Sequence, residues 1–282
     1  MRTIISLLLL MLNSAVSIIY AQSFDFSHLD NSNGLSNNQV ECIFKDSRGF
    51  MWFGTNQGLN RYDGLNFKVY KHNRNDPTSI PFDRITHIQE DSEGRLWLQV
   101  LRTDYIVYDF KTESFTQNID SLVAKMELPP SPSIIEIDAN KDFYIYYQDK
   151  GIYKYYVRTG KYVTFNQSKQ GQTLSSGEIL NFRVSKQYIW VMFRDGLIER
   201  FNEKSNLVDI RNTFFKDNLQ NSTIQKSLFV DNDNDVWVYP GVADKGSAYY
   251  DTKAKEWVFL NKDTEIALSS NFFRCMDQDN EG

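Results

Sequence analysis

The sequence predicts an all-β fold, a β-propeller whose four-stranded blades are about 46 residues long. Two observations predict it. Aromatic residues make up 15% of the chain, with 16 Tyr and 20 Phe, a composition that suits sheets better than helices. A turn-flanked aromatic strand also recurs, with its anchor residue at positions 52, 97, 144, 190 and 237, so the successive spacings are 45, 47, 46 and 47 residues. A repeat period in the forties is typical of propeller blades.

The clearest copy of the repeat lies at residues 46–62. Asp46 and Gly49 predict a turn, because Asp bonds nearby backbone groups and Gly accepts positive φ. An aromatic strand with Trp52 follows. The structural anchors of all the repeats are Asp46, Gly49, Trp52, Gly54, Asp91, Gly94, Trp97, Tyr144, Trp190 and Trp237. We expect the Trp anchors to be core residues rather than sugar-stacking platforms, because each blade buries its middle strands against its neighbours.

These anchors place the blades near residues 35–75, 80–118, 133–166, 178–209 and 225–262, with a partial sixth at 270–282. The one predicted helix is short and amphipathic, and begins near Ile119, whose face Leu122, Val123 and Met126 share. Seven blades would need roughly 320 residues. The prediction is therefore an incomplete ring of about five and a half blades. Because an open ring exposes sheet edges, we expect the segment alone to be marginally folded or to aggregate.

Residues 1–21 are interpreted as a secretory signal peptide. Arg2 is their only charge, a short apolar run follows it, and the polar part begins at Gln22. A retained N-terminal membrane anchor is the alternative. From residue 22 to residue 282 no apolar run approaches the roughly 20 residues that a membrane span needs. We therefore interpret residues 22–282 as the N-terminal part of an exported propeller domain.

The two cysteines invite a disulfide interpretation in an exported protein. The repeat register argues against it. Cys42 lies four residues before Asp46, and Cys275 lies four residues before Asp279, so both occupy the same slot of different repeats. Those slots are not neighbours in a ring of about seven blades, whereas a disulfide needs Cα atoms within roughly 7 Å. We expect two buried thiols that are not bridged to each other.

Charge and histidine content exclude several function classes. Without Arg2 the chain has 30 basic residues against 36 acidic ones, a net charge of −6, which argues against contact with nucleic acid. The three histidines, His28, His72 and His87, have no metal-site or catalytic spacing. His87 occupies the blade slot of Cys42 and is interpreted as an inner-strand packing residue.

Asp231, Asp233 and Asp235 resemble the start of a calcium loop. The Gly and the distal Glu of such a loop are missing, and Asp231 is also the turn residue of its blade. We therefore predict no catalytic residue, no cofactor and no metal in this segment. Ligand contacts are expected on loops, but the sequence does not single out any residue for them.

The repeats resemble the two-component regulator propeller repeat. The first repeat matches the family pattern closely, and the later repeats match it mainly by spacing. The matching residues of the first repeat are Asp46, Gly49, Trp52, Phe53, Gly54, Thr55, Gly58, Leu59, Arg61, Tyr62 and Asp63. The resemblance implies the periplasmic front end of a hybrid two-component sensor. In such proteins two propellers precede a β-sandwich domain, one inner-membrane span, a histidine kinase, a receiver and often a DNA-binding domain.

The resemblance further implies a non-enzymatic segment that detects oligosaccharides from glycan breakdown. It would signal to a C-terminal kinase absent from these 282 residues. Its partners would be the oligosaccharide, the rest of its own polypeptide and a second copy in a homodimer. Two alternatives stay open, a secreted propeller enzyme of the lyase or hydrolase type and a non-catalytic adhesive propeller. The enzyme would need His, Glu or Asp side chains that converge on one end of the ring.

Overall fold

A computed structural model of the chain describes residues 28–100, 104–166, 173–218, 227–239, 247–260 and 276. Within these residues the chain forms five four-stranded antiparallel sheets, one after another along the sequence. The predicted all-β propeller architecture is confirmed. The interpreted signal peptide and nearly all of the partial sixth blade lie outside the described residues.

Each blade is a meander in which consecutive strands pair. Blade 1 contains β1 (Val40–Lys45), β2 (Met51–Thr55), β3 (Gly58–Tyr62) and β4 (Phe67–Tyr70). Blade 2 contains β5 (Ile85–Glu90), β6 (Leu96–Val100), β7 (Asp104–Asp109) and β8 (Ser114–Thr116). Blade 3 contains β9 (Ile134–Ile137), β10 (Phe143–Tyr147), β11 (Gly151–Tyr156) and β12 (Lys161–Phe165). Blade 4 contains β13 (Ile179–Ser185), β14 (Tyr188–Phe193), β15 (Ile198–Asn202) and β16 (Leu207–Asn212). Blade 5 contains β17 (Ser227–Val230), β18 (Val236–Tyr239), β19 (Ser247–Asp251) and β20 (Glu256–Leu260).

The predicted amphipathic helix exists as α1 (Ile119–Ala124). Asn118 caps it by accepting a hydrogen bond from the backbone N–H of Ser121. The expectation of a single helix is wrong, because α2 (Phe214–Asn218) follows β16 and a 3-10 turn spans Asn31–Asn33. The helix α2 is one turn long and aromatic, so it has no helical period that the sequence could reveal. Among the described residues, no helix has the length and apolar character to cross a membrane.

The hydrophobic core is divided among the interfaces between blades. Fully burying one large apolar side chain contributes roughly 1.5–3 kcal/mol, and each interface buries several. The interface between blades 1 and 2 buries Trp52, Leu59 and Leu98, and that between blades 2 and 3 buries Trp97, Val107 and Ile145. The interface between blades 3 and 4 buries Tyr144, Phe182 and Val191, and that between blades 4 and 5 buries Trp190, Leu228 and Val238. Each blade is therefore stabilised by its neighbours rather than by a core of its own.

The predicted core placement of the Trp anchors is confirmed for Trp52, Trp97 and Trp190, which are 0%, 1% and 0% exposed. It is wrong for Trp237, which is half-buried and stacks on Tyr249 with ring centroids 4.5 Å apart. Trp237 lies on β18, in the last of the five described blades. No further described blade covers that face of the sheet.

Cys42 is buried on β1, as predicted. Its thiol donates to the backbone carbonyl of Ile85 in the next blade at 3.8 Å. The partner of Cys42 across the strand pair is Gly54, where a Cβ would approach the Cys42 sulfur to 2.5 Å. Glycine at this anchor position therefore lets blades 1 and 2 approach closely. Cys275 lies outside the described residues.

The turn between the first two strands of a blade is held by one carboxylate. In blade 1, Asp46 Oδ1 accepts the backbone N–H groups of Arg48 at 3.0 Å and Phe50 at 2.9 Å. Asp46 Oδ2 accepts the indole N–H of Trp52 at 2.8 Å. We call this arrangement the Asp–Trp clamp. It joins the turn to the buried anchor, so the recurring Asp and Trp of the sequence are one structural unit.

The Asp–Trp clamp recurs in blades 2 and 5. Asp91 accepts the Trp97 indole at 2.9 Å, and Asp231 accepts the Trp237 indole at 2.8 Å. In both blades the other carboxylate oxygen accepts backbone N–H groups of the turn. The calcium-loop resemblance around Asp231 therefore coincides with the turn acceptor of blade 5.

Blades 3 and 4 lack the clamp for different reasons. In blade 3 the anchor is Tyr144, whose hydroxyl reaches past its own turn and donates to Glu203 of blade 4 at 2.6 Å. Lys154 also binds Glu203, at 2.7 Å. In blade 4 the turn is shorter, and Val184 stands six residues before Trp190, where Asp stands in the clamped blades. The Trp190 indole N–H is buried and has no hydrogen-bond partner in the described structure.

The clamp predicts unequal effects of two identical substitutions. Asp46→Asn and Asp138→Asn each keep one oxygen for the turn, but only Asp46 also accepts an indole N–H. A hydrogen bond to a charged group contributes about 1.5–3 kcal/mol. We expect Asp46→Asn to lower the free energy of unfolding by about 2 kcal/mol more than Asp138→Asn does. Urea unfolding of the complete propeller, followed by tryptophan fluorescence, measures this difference, and equal losses would contradict a stabilising role for the indole bond.

Candidate ligand-binding site in the central channel

The first strands of the five blades, β1, β5, β9, β13 and β17, contact one another in that order. Each pairs with its own blade along one edge only. Their other edges therefore line the axis of the ring, which we call the central channel. Unpaired strand edges present backbone N–H and C=O groups, so this wall is polar before any side chain is considered.

Side chains of neighbouring blades form hydrogen bonds with some of the backbone groups along these unpaired strand edges. Gln89 of blade 2 donates to the carbonyl of Ile135 at 3.0 Å and accepts the N–H of Ile137. The Tyr105 hydroxyl accepts the N–H of Ile135 at 3.0 Å. Burial raises the pKa of Tyr105, so the hydroxyl stays neutral at physiological pH. These contacts pin β9 against blade 2 and give the channel wall a defined shape.

Three charged or titratable side chains from three blades meet on this wall. Arg183 Nη1 of β13 donates to Glu136 Oε1 of β9. The same nitrogen also contacts Asn181 Oδ1 at 3.0 Å and the carbonyl of Phe182 at 2.9 Å. His87 Nε2 of β5 lies 3.8 Å from Glu136 Oε1. We call His87, Glu136 and Arg183 the channel triad.

Burial sets the protonation of the channel triad. Glu136 is 8% exposed, and desolvation raises its pKa to about 7 although Arg183 opposes the rise. Desolvation and the charge of Arg183 lower the pKa of His87 to about 3. At neutral pH His87 is therefore uncharged, and Glu136 is protonated far more often than an exposed glutamate is. The His87 Nε2 atom is buried and has no hydrogen-bond partner within the described part of the chain.

A second polar group lies at the start of the first strands of blades 1 and 2. Glu41 accepts from Gln39 Nε2 at 3.2 Å and pairs with Arg84 Nη2 at 3.5 Å. Arg84 follows closely after Phe82, whose side chain is 44% exposed. Together the channel triad and this second polar group present guanidinium, carboxylate, amide and aromatic side chains. Side chains of these kinds are the ones that protein sites use to hold hydroxyl-rich or anionic ligands.

The strand register confirms the predicted slot of His87. His87 faces Gln99 directly after an irregularity in β5, as Cys42 faces Gly54 after one in β1. Its interpretation as a mere packing residue is incomplete, since it belongs to the channel triad. The repeat anchors lie in the first turns and on the second strands of the blades, next to the first strands but not on them: Asp46, Gly49, Trp52, Gly54, Asp91, Gly94, Trp97, Tyr144, Trp190 and Trp237.

Sequence analysis missed Glu136 and Arg183, although a signal was present. In every blade the first strand carries one residue directly opposite the aromatic anchor. The five residues in this slot are Phe44, Gln89, Glu136, Arg183 and Phe229. They stand seven or eight residues before the anchor. The slot is polar in blades 2 to 4 and aromatic in blades 1 and 5.

Known proteins resemble this chain in its repeats. The sequence profile of the family described as "Two component regulator propeller" matches residues 34–57 and 79–100. Histidine kinase P4 of Formosa agariphila is 43% identical over 58 residues, which are 21% of this chain and 4% of that protein. The chain thus spans a small part of the curated relative that it matches.

Solved structures resemble the chain over most of its length. The extracellular domain assigned to the hybrid two component system BT3049 of B. thetaiotaomicron is 20% identical, with a TM-score of 0.48, and the match covers 90% of this chain and 39% of that one. PorZ of Porphyromonas gingivalis, a component of the type-IX secretion system, is 16% identical with a TM-score of 0.47, over 83% of this chain and 35% of its own.

The raised pKa of Glu136 predicts a pH dependence of stability. A carboxyl whose pKa is higher in the folded state stabilises the fold below its ordinary pKa of 4.5, and this stabilisation is lost as the pH rises to about 7. Between pH 5 and pH 8 the wild-type chain should therefore lose about 2 kcal/mol relative to Glu136→Gln. The lowered pKa of His87 has the opposite effect, since it destabilises the fold as the pH falls below 6.5. This effect is the same in the wild type and in Glu136→Gln.

Urea unfolding of the complete propeller at several pH values measures this difference. The matched control is Glu113→Gln, which removes an exposed carboxylate from blade 2. Its pH profile should follow that of the wild type. If the profiles of wild type and Glu136→Gln run parallel from pH 5 to pH 8, Glu136 is not a buried acid that titrates near neutrality.

Proposed function

We propose that this chain, which carries two component regulator propeller repeats, is the exported ligand-binding propeller of a two-component sensor. It acts in the periplasm as part of a longer polypeptide that includes an inner-membrane span and a histidine kinase. The observation that carries the proposal is the match of residues 34–57 and 79–100 to this repeat family. The local similarity to a histidine kinase supports it.

The ligand in this proposal is an oligosaccharide from glycan breakdown, and its site is the central channel. The channel triad joins blades 2, 3 and 4, so a ligand that contacts it touches three blades at once. A ligand shifts a conformational equilibrium by its difference in affinity for the two states. Binding across blades favours one arrangement of blades over another, and a homodimer of the whole protein would transmit that preference.

The enzyme alternative gains one supporting observation. A buried carboxyl group with a pKa near 7 has the property of a general acid, and Glu136 lies beside His87. A propeller lyase or hydrolase would place such a group against the glycosidic bond. The two functions differ in a direct way, because an enzyme consumes the oligosaccharide and a sensor returns it unchanged.

The proposed function predicts stabilisation by a saccharide. A ligand at one hundred times its dissociation constant stabilises the folded state by about 2.7 kcal/mol, which raises the melting temperature of a domain of this size by several degrees. We expect at least one oligosaccharide in a broad panel to produce such a shift in the whole protein. The same mixtures, analysed by chromatography, should contain the saccharide intact.

Two results would contradict the proposed function. Shortened saccharides or unsaturated products would identify an enzyme. An unchanged melting temperature with every saccharide, together with unaltered autophosphorylation of the whole protein, would favour an adhesive propeller. Arg200→Gln serves as the control for altered stability, because Arg200 pairs with Asp209 in the third and fourth strands of blade 4, away from the channel.

A further inference from the structure

We infer that the central channel recognises a carboxylate-bearing sugar unit, a uronic acid, with Arg183 as the residue that binds its carboxylate. The inference rests on the proposed saccharide-binding function and gives it a chemical class. It follows from the unused edge of Arg183, from the charge of the channel triad and from the unpartnered nitrogen of His87.

Arg183 keeps one side of its guanidinium group available. A guanidinium carries five N–H donors, yet the hydrogen bonds of Arg183 to described residues all run through Nη1. Neither Nε nor Nη2 is among the buried atoms that lack a partner in the described structure, and the side chain is 20% exposed. The Nε–Nη2 edge of Arg183 is therefore accessible to solvent, and in this inference the ligand reaches it from the channel.

The same edge binds carboxylates elsewhere in this protein. Arg200 holds Asp209 through Nε at 2.8 Å and Nη2 at 3.1 Å. Arg194 holds Glu178 through the same two nitrogens. Such two-pronged pairing is specific for planar anions and is stronger than a neutral hydrogen bond. By its geometry the exposed edge of Arg183 fits a ligand carboxylate better than a hydroxyl group.

The charge of the channel triad also favours an anion. The groups that face Glu136 are His87 from β5, Tyr105 from β7 and Arg183 from β13. The first strand of blade 5 (Ser227–Val230) carries no ionisable side chain. His87 and Tyr105 are neutral at physiological pH, so the net charge depends on Glu136 alone. Whenever Glu136 is protonated, the positive charge of Arg183 is uncompensated in the channel triad.

Ligand binding in this site takes up a proton from solvent. An incoming carboxylate next to Glu136 places two negative groups on one guanidinium, which raises the pKa of Glu136 further. Protonated Glu136 then has an O–H to donate, and a small rotation of its carboxyl group brings it from 3.8 Å into hydrogen-bonding range of the buried His87 Nε2, which accepts in the Nδ1–H tautomer. The bond to His87 replaces the ion pair, and Arg183 turns to the ligand.

The test uses matched acidic and neutral ligands. The probes are trimers of galacturonate, guluronate and mannuronate and the methyl ester of each, titrated calorimetrically into the whole protein at pH 6 and pH 8. We expect at least one acid to bind at least tenfold more tightly than its ester. Because binding requires protonated Glu136, its affinity should fall by about tenfold from pH 6 to pH 8.

Three variants and one control variant locate the effect. Arg183→Gln should abolish the preference for acid over ester, and Arg183→Lys, which keeps the charge but not the fork, should recover only part of it. Glu136→Gln mimics the protonated carboxyl, so the acid should bind with the same affinity at both pH values. Arg200→Gln should behave as the wild type. Circular dichroism melts establish that each variant is folded.

The outcomes separate this inference from the proposed function. Equal affinity for acid and ester, or an acid preference that survives in Arg183→Gln, overturns the inference. Binding of neutral saccharides without any acid overturns it too, but leaves the saccharide sensor intact. If no saccharide of either kind binds, both the inference and the proposed function fail.

Discussion

The Asp–Trp clamp is the interaction that organises blades 1, 2 and 5 of this propeller. One buried carboxylate holds the turn between the first two strands and the indole of the core anchor. The turn sets the path of the channel-lining strand, while the indole fills the interface with the next blade. A single side chain therefore couples the local backbone, the packing between blades and the shape of the channel wall.

The departures from the clamp show that the fold tolerates its loss, with substitute bonds in blade 3 and none for the indole of blade 4. Tyr144 and Lys154 of blade 3 share Glu203 of blade 4, so a bond within one blade is replaced by bonds between two. Trp190 keeps its packing but loses its acceptor. Arg183 stands directly opposite that anchor. The blades that depart most from the repeat thus contribute the two charged residues of the channel triad, Glu136 and Arg183.

The channel wall follows from one slot of the repeat. The residue opposite the anchor always lies on the first strand, but it is aromatic at the ends of the row and polar in the middle. Glu136 and Arg183 occupy adjacent copies of this slot, so the ring geometry brings them into contact across 47 residues of sequence. Burying two ionisable groups costs free energy of folding unless the groups are well paired. The position of this pair in the channel therefore favours a functional role for it.

The sequence by itself determined the propeller architecture, its period and most of its strands. Spacing and turn chemistry are local properties, and every blade repeats them. It also determined that Trp52, Trp97 and Trp190 are core residues. Only the tertiary structure decided what the spacing leaves open: the half-buried state of Trp237, the helix α2 and the meeting of His87, Glu136 and Arg183. Their protonation states depend on burial and on contacts between blades, because both arise when separate repeats are placed side by side around one axis.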